Sequence, residues 1–182
     1  MRFIFAAAFA LPLLTACISQ PDYRNNPEPP PTVASVDIDR YAGRWFEIAR
    51  YPNWFQRNCG PSEAIYARRE DGRISVLNSC ETEDGGTDDI EGSARILDGS
   101  GNAKLKVRFA PGWIPFAEGD YWVLHLEPDY SAVLVGEPRG QYLWILAREA
   151  DPDPDIINRI LARAQALGYQ TAPLEWPRGR PG

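Results

Sequence analysis

One histidine, His125, and three cysteines, Cys17, Cys59 and Cys80, are the side chains of this 182-residue sequence best suited to acid–base, nucleophilic or soft-metal chemistry. A single imidazole excludes a multi-histidine metal site and leaves one candidate for a histidine base. No G-x-S-x-G, phosphate-binding glycine loop or C-x-x-C accompanies it. Gly99-Ser100-Gly101 lacks a further glycine and reads as a turn. With no nucleophile placed beside it, His125 is expected to be a hydrogen-bonded core histidine. Glu81, Glu83, Asp84, Asp88 and Asp89 gather in a Gly-rich stretch. They lack the alternating ligand spacing of a calcium loop and read as a solvated acidic loop. No catalytic residue, metal or cofactor is assigned, and the chain is not expected to be an enzyme.

The charge balance narrows the partners. Nineteen basic against 25 acidic residues give a net charge of −6. Nucleic-acid binding needs clustered Lys and Arg against phosphate, so that class is set aside. The length suits one domain with an ordinary hydrophobic core.

The elements that must carry these residues begin after residue 16. Met1-Arg2 is a short positive start, and Phe3–Leu14 is apolar apart from Pro12. Twelve residues cannot span a bilayer core of about 30 Å as a helix. Residues 1–16 therefore read as a secretory signal. Leu14-Thr15-Ala16-Cys17 resembles the lipobox of bacterial lipoprotein signals. The resemblance implies cleavage before Cys17, lipidation of that cysteine and an acylated amine; two or more chains hold a membrane firmly where one holds marginally. By the sorting rule of those lipoproteins, Ile18 after the cysteine implies the outer membrane. Residues 17–36 are Pro-rich, polar and aperiodic, and are expected to form an extended, solvated tether. In an exported chain the two remaining cysteines, Cys59 and Cys80, are expected to pair.

The body reads as eight short strands: residues 44–51, 64–69, 73–80, 90–97, 104–109, 121–127, 132–135 and 141–148. Asp71-Gly72 is the strongest hairpin signal among the turns between them. Such a succession predicts an antiparallel barrel or sandwich. One helix follows. Asp153 is its N-cap, Pro154 its first residue and Gly168 its C-terminal stop. Ile156, Ile157, Ile160, Leu161, Ala164 and Leu167 form its apolar stripe, which should lie on the outside of the sheet. Residues 177–182 are expected to be a frayed tail.

Two motifs then converge. Gly43-Arg44-Trp45-Phe46-Glu47-Ile48-Ala49-Arg50-Tyr51-Pro52 resembles the G-x-W signature on the first strand of the lipocalins. Tyr142-Leu143-Trp144-Ile145-Leu146-Ala147-Arg148 resembles their last barrel strand, which ends in arginine. The middle signature is degraded to Glu127-Pro128-Asp129-Tyr130. Residues 37–176 thus resemble a lipocalin domain, and the lipobox points to the bacterial outer-membrane lipoproteins akin to apolipoprotein D. The resemblance implies an all-β fold: an eight-stranded antiparallel up-and-down barrel with one open mouth and a C-terminal α-helix packed outside.

That fold, if adopted, assigns an inside to alternate residues. Trp45, Glu47 and Ala49 would share the inner face of the first strand. In the family the terminal arginine lies across the G-x-W indole, so Trp45 and Arg148 are expected to be structural, closing the base. Inward parity extends to Ala64, Tyr66, Ile74, Val76, Asn78, Gly92, Ala94, Leu105, Val107, Phe109, Tyr121, Val123 and Val135, and to His125 near the base. The small residues Ala49, Ala64, Gly92 and Ala94 would leave room for a ligand. Ala64, Tyr66, Val76, Phe109, Tyr121, Tyr142 and Trp144 are the expected lining. Trp54, Phe55 and Trp113 sit in mouth loops, where they either cover the opening or touch a membrane, or else pack on one another. Glu47 would need a buried partner such as a tyrosine hydroxyl or an arginine. The implied function is a lipid-anchored protein, monomer or weak dimer, that stores or carries a fatty acid, lysophospholipid or similar amphiphile at the outer membrane, on its periplasmic side. The alternatives are an envelope-maintenance protein with an incidental cavity and a lipocalin-type enzyme.

Overall fold

A computed structural model describes residues 20–109 and 117–181. Eight antiparallel strands close into a barrel in sequence order: β1 (Gly43–Arg50), β2 (Cys59–Arg68), β3 (Ile74–Thr82), β4 (Thr87–Ile96), β5 (Lys104–Arg108), β6 (Glu118–Leu126), β7 (Ala132–Gly136) and β8 (Leu143–Ala147). A one-turn helix, α1 (Ile38–Tyr41), precedes β1, capped by the Asp37 carboxylate, which accepts from the backbone N–H groups of Asp39 and Arg40. The sequence motifs do not announce this turn. The second helix, α2 (Pro154–Ala166), starts from an Asp153 cap with Pro154 in its first turn, as expected. It buries Ile157, Ile160, Leu161 and Ala164 and packs on β7.

Alternation divides the apolar residues into two cores. Ile48, Leu124, Leu134, Leu143 and Ile145 point outward under α2. Trp45, Ala64, Tyr66, Ile74, Val76, Ala94, Leu105, Val123, Val135 and Leu146 fill the interior. Three register shifts break the simple alternation, one of them in β2 between Cys59 and Ser62. The β1–β8 register shifts between Glu47 and Ala49, and the β6–β7 register shifts between Val123 and His125. An extra residue in one strand turns every later side chain to the other face. Ala49 therefore packs with the helix-facing core and not inside the barrel, which corrects the expectation for it. His125 is likewise outside: it pairs with Leu134 and bonds the Glu127 carboxylate at 3.0 Å, while Arg159 of α2 holds the other carboxylate oxygen at 3.0 Å.

The proline-rich segment is not a free tether from Gln20 onward. Tyr23 N–H donates to the Gly140 carbonyl, Val33 N–H to Val123, and Val36 N–H to Gly101. Arg24 is buried, and its Nε donates to the Leu167 carbonyl at the C-terminus of α2, 2.9 Å away. Gly101 and Gly140, both at positive φ, let the segment approach this closely: a Cβ there would overlap the Ala34 carbonyl oxygen and the Arg24 side chain respectively. The far end is also held. Arg178 reaches the Ser62 carbonyl at 3.4 Å and lies over the Phe46 ring. Cys17 lies outside the described residues.

Candidate functional site

β1 runs toward the mouth, so the segments after β1, β3 and β7 lie at the opening, as does the end of β5, and α1 lies under the base. At the base, the Trp45 indole N–H donates to the Tyr41 carbonyl at 2.8 Å. The Arg148 guanidinium lies 3.9 Å from the other side of that ring system. Above the indole, Tyr41 and Tyr121 share a hydrogen bond of 2.6 Å, and Tyr121 donates to Tyr66 at 3.2 Å. Burial pushes the Tyr66 phenol up to about 12 and those of Tyr41 and Tyr121 well above their ordinary value. The floor is thus a neutral, internally satisfied set of hydroxyls. The open space at this level is about 20 Å³, bounded by Tyr41, Tyr66, Ile74, Ala94 and Leu105 among others.

The middle wall is apolar with one exception. Ala64 pairs with Asn78, and Asn78 with Ile90. The Asn78 side-chain oxygen is buried and has no hydrogen-bond partner among the described residues. Gly92 does not leave the open volume expected of it. The Phe109 ring occupies the space where a Cβ would stand, so the missing side chain accommodates a phenyl group of the protein itself.

Nearer the mouth a buried ion pair lies along β1. The bulge after Glu47 turns Arg50 to the same side, although residues three apart on a regular strand face opposite ways. Arg50 Nη1 donates to Glu47 Oε1 at 2.5 Å, and both residues are 4% exposed. Arg50 Nη2 donates to the Cys59 carbonyl at 2.7 Å. Gln56, from the β1–β2 loop, donates to Glu47 Oε2 at 2.8 Å and accepts from the Trp144 indole at 3.1 Å. Burial pushes the Glu47 carboxyl up, and the Arg50 guanidinium and the Gln56 hydrogen bond oppose that shift. Arg50, Gln56 and Asn53, which anchors the Gln56 backbone N–H at 2.8 Å, carry no motif that would mark them as site residues.

Above this cluster Tyr142 stacks on Trp144, with ring centres 5.8 Å apart. Phe55 lies against both, at 5.6 and 6.5 Å, and Trp54 packs edge-on to Phe55. The mouth aromatics therefore pack on one another over part of the opening. Trp113 lies outside the described residues. Among the described residues the large apolar side chains left exposed are Trp54, Phe55, Ile90 and Phe109, all at this end. A disulfide between Cys59 and Cys80, Cα atoms 5.4 Å apart, ties β2 to β3 here.

Of the residues expected to line a ligand site, Ala64, Tyr66 and Val76 fall in the inner core, with Tyr121 and Trp144 packed against it. Phe109, Tyr142, Phe55 and Trp54 stand nearer the mouth.

The family model for a lipocalin-like domain matches residues 36–179. The chain belongs to the lipocalin family. Temperature-induced lipocalin-1 of Arabidopsis thaliana is 41% identical over 147 residues, 78% of each chain. Outer membrane lipoprotein Blc of Escherichia coli strain K12 is 35% identical over 177 residues, 95% of this chain and 94% of that one. The structure of insecticyanin from Manduca sexta superposes with a TM-score of 0.67 at 19% identity, covering 86% of each chain. That likeness carries the fold alone. This lipocalin shares with the rest of its family a barrel suited to small hydrophobic ligands.

Proposed function

We propose that this lipocalin is a lipid-anchored envelope protein that holds a fatty acid, lysophospholipid or similar amphiphile. Residues 1–16 serve as the signal peptide, and Cys17 becomes the acylated N-terminus. The likeness to a relative named as an outer membrane lipoprotein supports that membrane as its location; the periplasmic face is part of the proposal.

The observation that carries the reading is the gathering of exposed apolar side chains at one end of a largely apolar barrel. Trp54, Phe55, Ile90 and Phe109 would otherwise gain nothing from facing water. An acyl chain passing Phe109 and Trp144 toward Val76 and Ala64 would gain about 0.8 kcal/mol per buried CH₂. The tyrosine floor limits its depth. Asn78 Oδ1 can accept a hydrogen bond from a ligand hydroxyl along the wall. Among the described residues the interior acid Glu47 is ion-paired and His125 lies outside the barrel, which supports storage or carriage as the role.

Native mass spectrometry of protein extracted from its membrane tests this. A copurified amphiphile in a one-to-one complex is the expected result. An empty barrel that also refuses added fatty acid and lysophospholipid would contradict it and favour an envelope role in which the cavity is incidental.

A further inference from the structure

The path of the N-terminal segment fixes which end of the barrel meets the membrane. The Gln20 side-chain amide donates to the carbonyls of Pro52 and Gln141, the latter at 3.3 Å. Pro52 follows β1 and Gln141 precedes β8, so both belong to mouth loops. Tyr23 is held by Gly140 of the same β7–β8 loop. From there the chain descends: Arg24 locks onto the end of α2, Val33 meets Val123, and Val36 meets Gly101 in the β4–β5 turn at the base. The end of the segment that leads to Cys17 is therefore at the mouth. Gln20 is three residue steps from Cys17, a distance of no more than about 11 Å even when fully extended. A chain leaving the base could place the anchor on that side; this one cannot without unpinning Gln20, Tyr23 and Arg24.

The surface at that end suits the interface of a bilayer. Trp54 is 71% exposed and Phe55 49% exposed, both within three residues of Pro52. Arg57 in the same loop and Arg139 in the β7–β8 loop are exposed as well. The acidic residues Glu81, Glu83, Asp84, Asp88 and Asp89 lie at the same end but on the β3–β4 hairpin, which is not adjacent to β1 or β8 in the barrel. Interfacial aromatics with basic neighbours are drawn to anionic lipid, and an acidic hairpin is not.

The geometry points to a mouth-down orientation. The β1–β2 and β7–β8 loops rest on the leaflet that holds the Cys17 lipid, with the acidic hairpin tilted away and the base with α1 facing solvent. The inference rests on the proposed anchoring at Cys17. Its consequence is that an amphiphile passes between leaflet and barrel across the Phe55–Trp144 aromatics without crossing bulk water.

The test uses the mature full chain reconstituted in vesicles containing anionic lipid and brominated phosphatidylcholine, whose bromines quench nearby tryptophan. The intact mass is read first. A mature chain without acyl groups on Cys17 overturns the anchoring and this orientation together. In the acylated chain, the fluorescence difference between wild type and Trp54→Phe isolates Trp54. Asp98→Trp adds a reporter in the β4–β5 turn at the base. The expected result is strong quenching of the Trp54 signal by the brominated lipid and none of the added signal at 98. Quenching at 98 with none at Trp54 overturns the orientation while leaving the anchor intact. Trp54 unquenched by lipid, yet protected from aqueous acrylamide, also overturns it and shows that a second copy covers the rim. Both substitutions are at exposed positions, and an unchanged melting temperature confirms that the fold is kept.

Discussion

The Arg148 guanidinium caps the Trp45 indole at 3.9 Å and at the same time donates to the carbonyls of Arg40, Tyr41, Ala42 and Arg44. One side chain thus closes the barrel base, terminates α1 and holds the start of β1. A lysine could supply the charge but not the planar fork that reaches several carbonyls while stacking.

Arg148→Ala should lower stability by about 1–3 kcal/mol through lost stacking and carbonyl hydrogen bonds. Chemical denaturation measures it. The fraction that stays folded should bind ligand as the wild type does, because Arg148 lies below the tyrosine floor. Unchanged stability with lost binding would mean that this end has been assigned wrongly.

A second prediction concerns pH. Burial alone would raise the Glu127 carboxyl; hydrogen bonds from Arg159 and His125 outweigh it and hold the carboxyl below the usual range. A carboxyl depressed in the folded state contributes stability that is fully present above its unfolded value of about 4.3 and is lost as pH falls through the folded value. Glu127→Gln should therefore cost about 1–2 kcal/mol near neutrality. The cost should vanish in melts taken well below pH 4. A penalty that is the same at both pH values would contradict the role given to this charge in fastening α2.

The N-terminal segment supplies a third. Gly140→Ala places a Cβ against Arg24 at a backbone φ of +80°. The segment should detach at that point, read as faster hydrogen exchange at Tyr23 and Asn25 with the barrel strands unchanged. Equal protection in the two proteins would show that the contact is not what holds it.

A fourth tests the Cys59–Cys80 bond, which spans 21 residues. Replacing both cysteines with serine should cost about 3 kcal/mol by the chain-entropy relation. The effect should extend to binding, since the Cys59 carbonyl is the one that Arg50 uses beside Glu47. A double variant of wild-type stability would contradict this.

The strands, the helix and the disulfide are legible because each has a local signal: alternation, a cap with proline behind it, or two cysteines left over once Cys17 is assigned to the lipobox-like motif. The failures share a cause. Ala49 and His125 were put inside by counting in twos, and a β-bulge adds one residue without changing composition, so parity reverses unseen. The same bulge delivers Arg50 to Glu47, a partner that the burial argument demanded but could not name. Gly92 marked a place where bulk is absent; only the fold shows that Phe109 takes the space. Residues 20–36 looked solvated because their partners, Gly140, Leu167, Val123 and Gly101, are remote in sequence and meet them only after the barrel has closed.

The central claim, that an acyl chain lies inside the barrel beside Trp144, is tested most directly by titrating the protein with a brominated long-chain fatty acid and following tryptophan emission. The account predicts saturable one-to-one quenching that is largely lost in Trp144→Phe. It should survive in Trp122→Phe, since Trp122 packs with the helix-facing core on the outside of the barrel. Quenching that never saturates, or that persists undiminished in Trp144→Phe and disappears in Trp54→Phe, would contradict it and put the ligand on the rim instead.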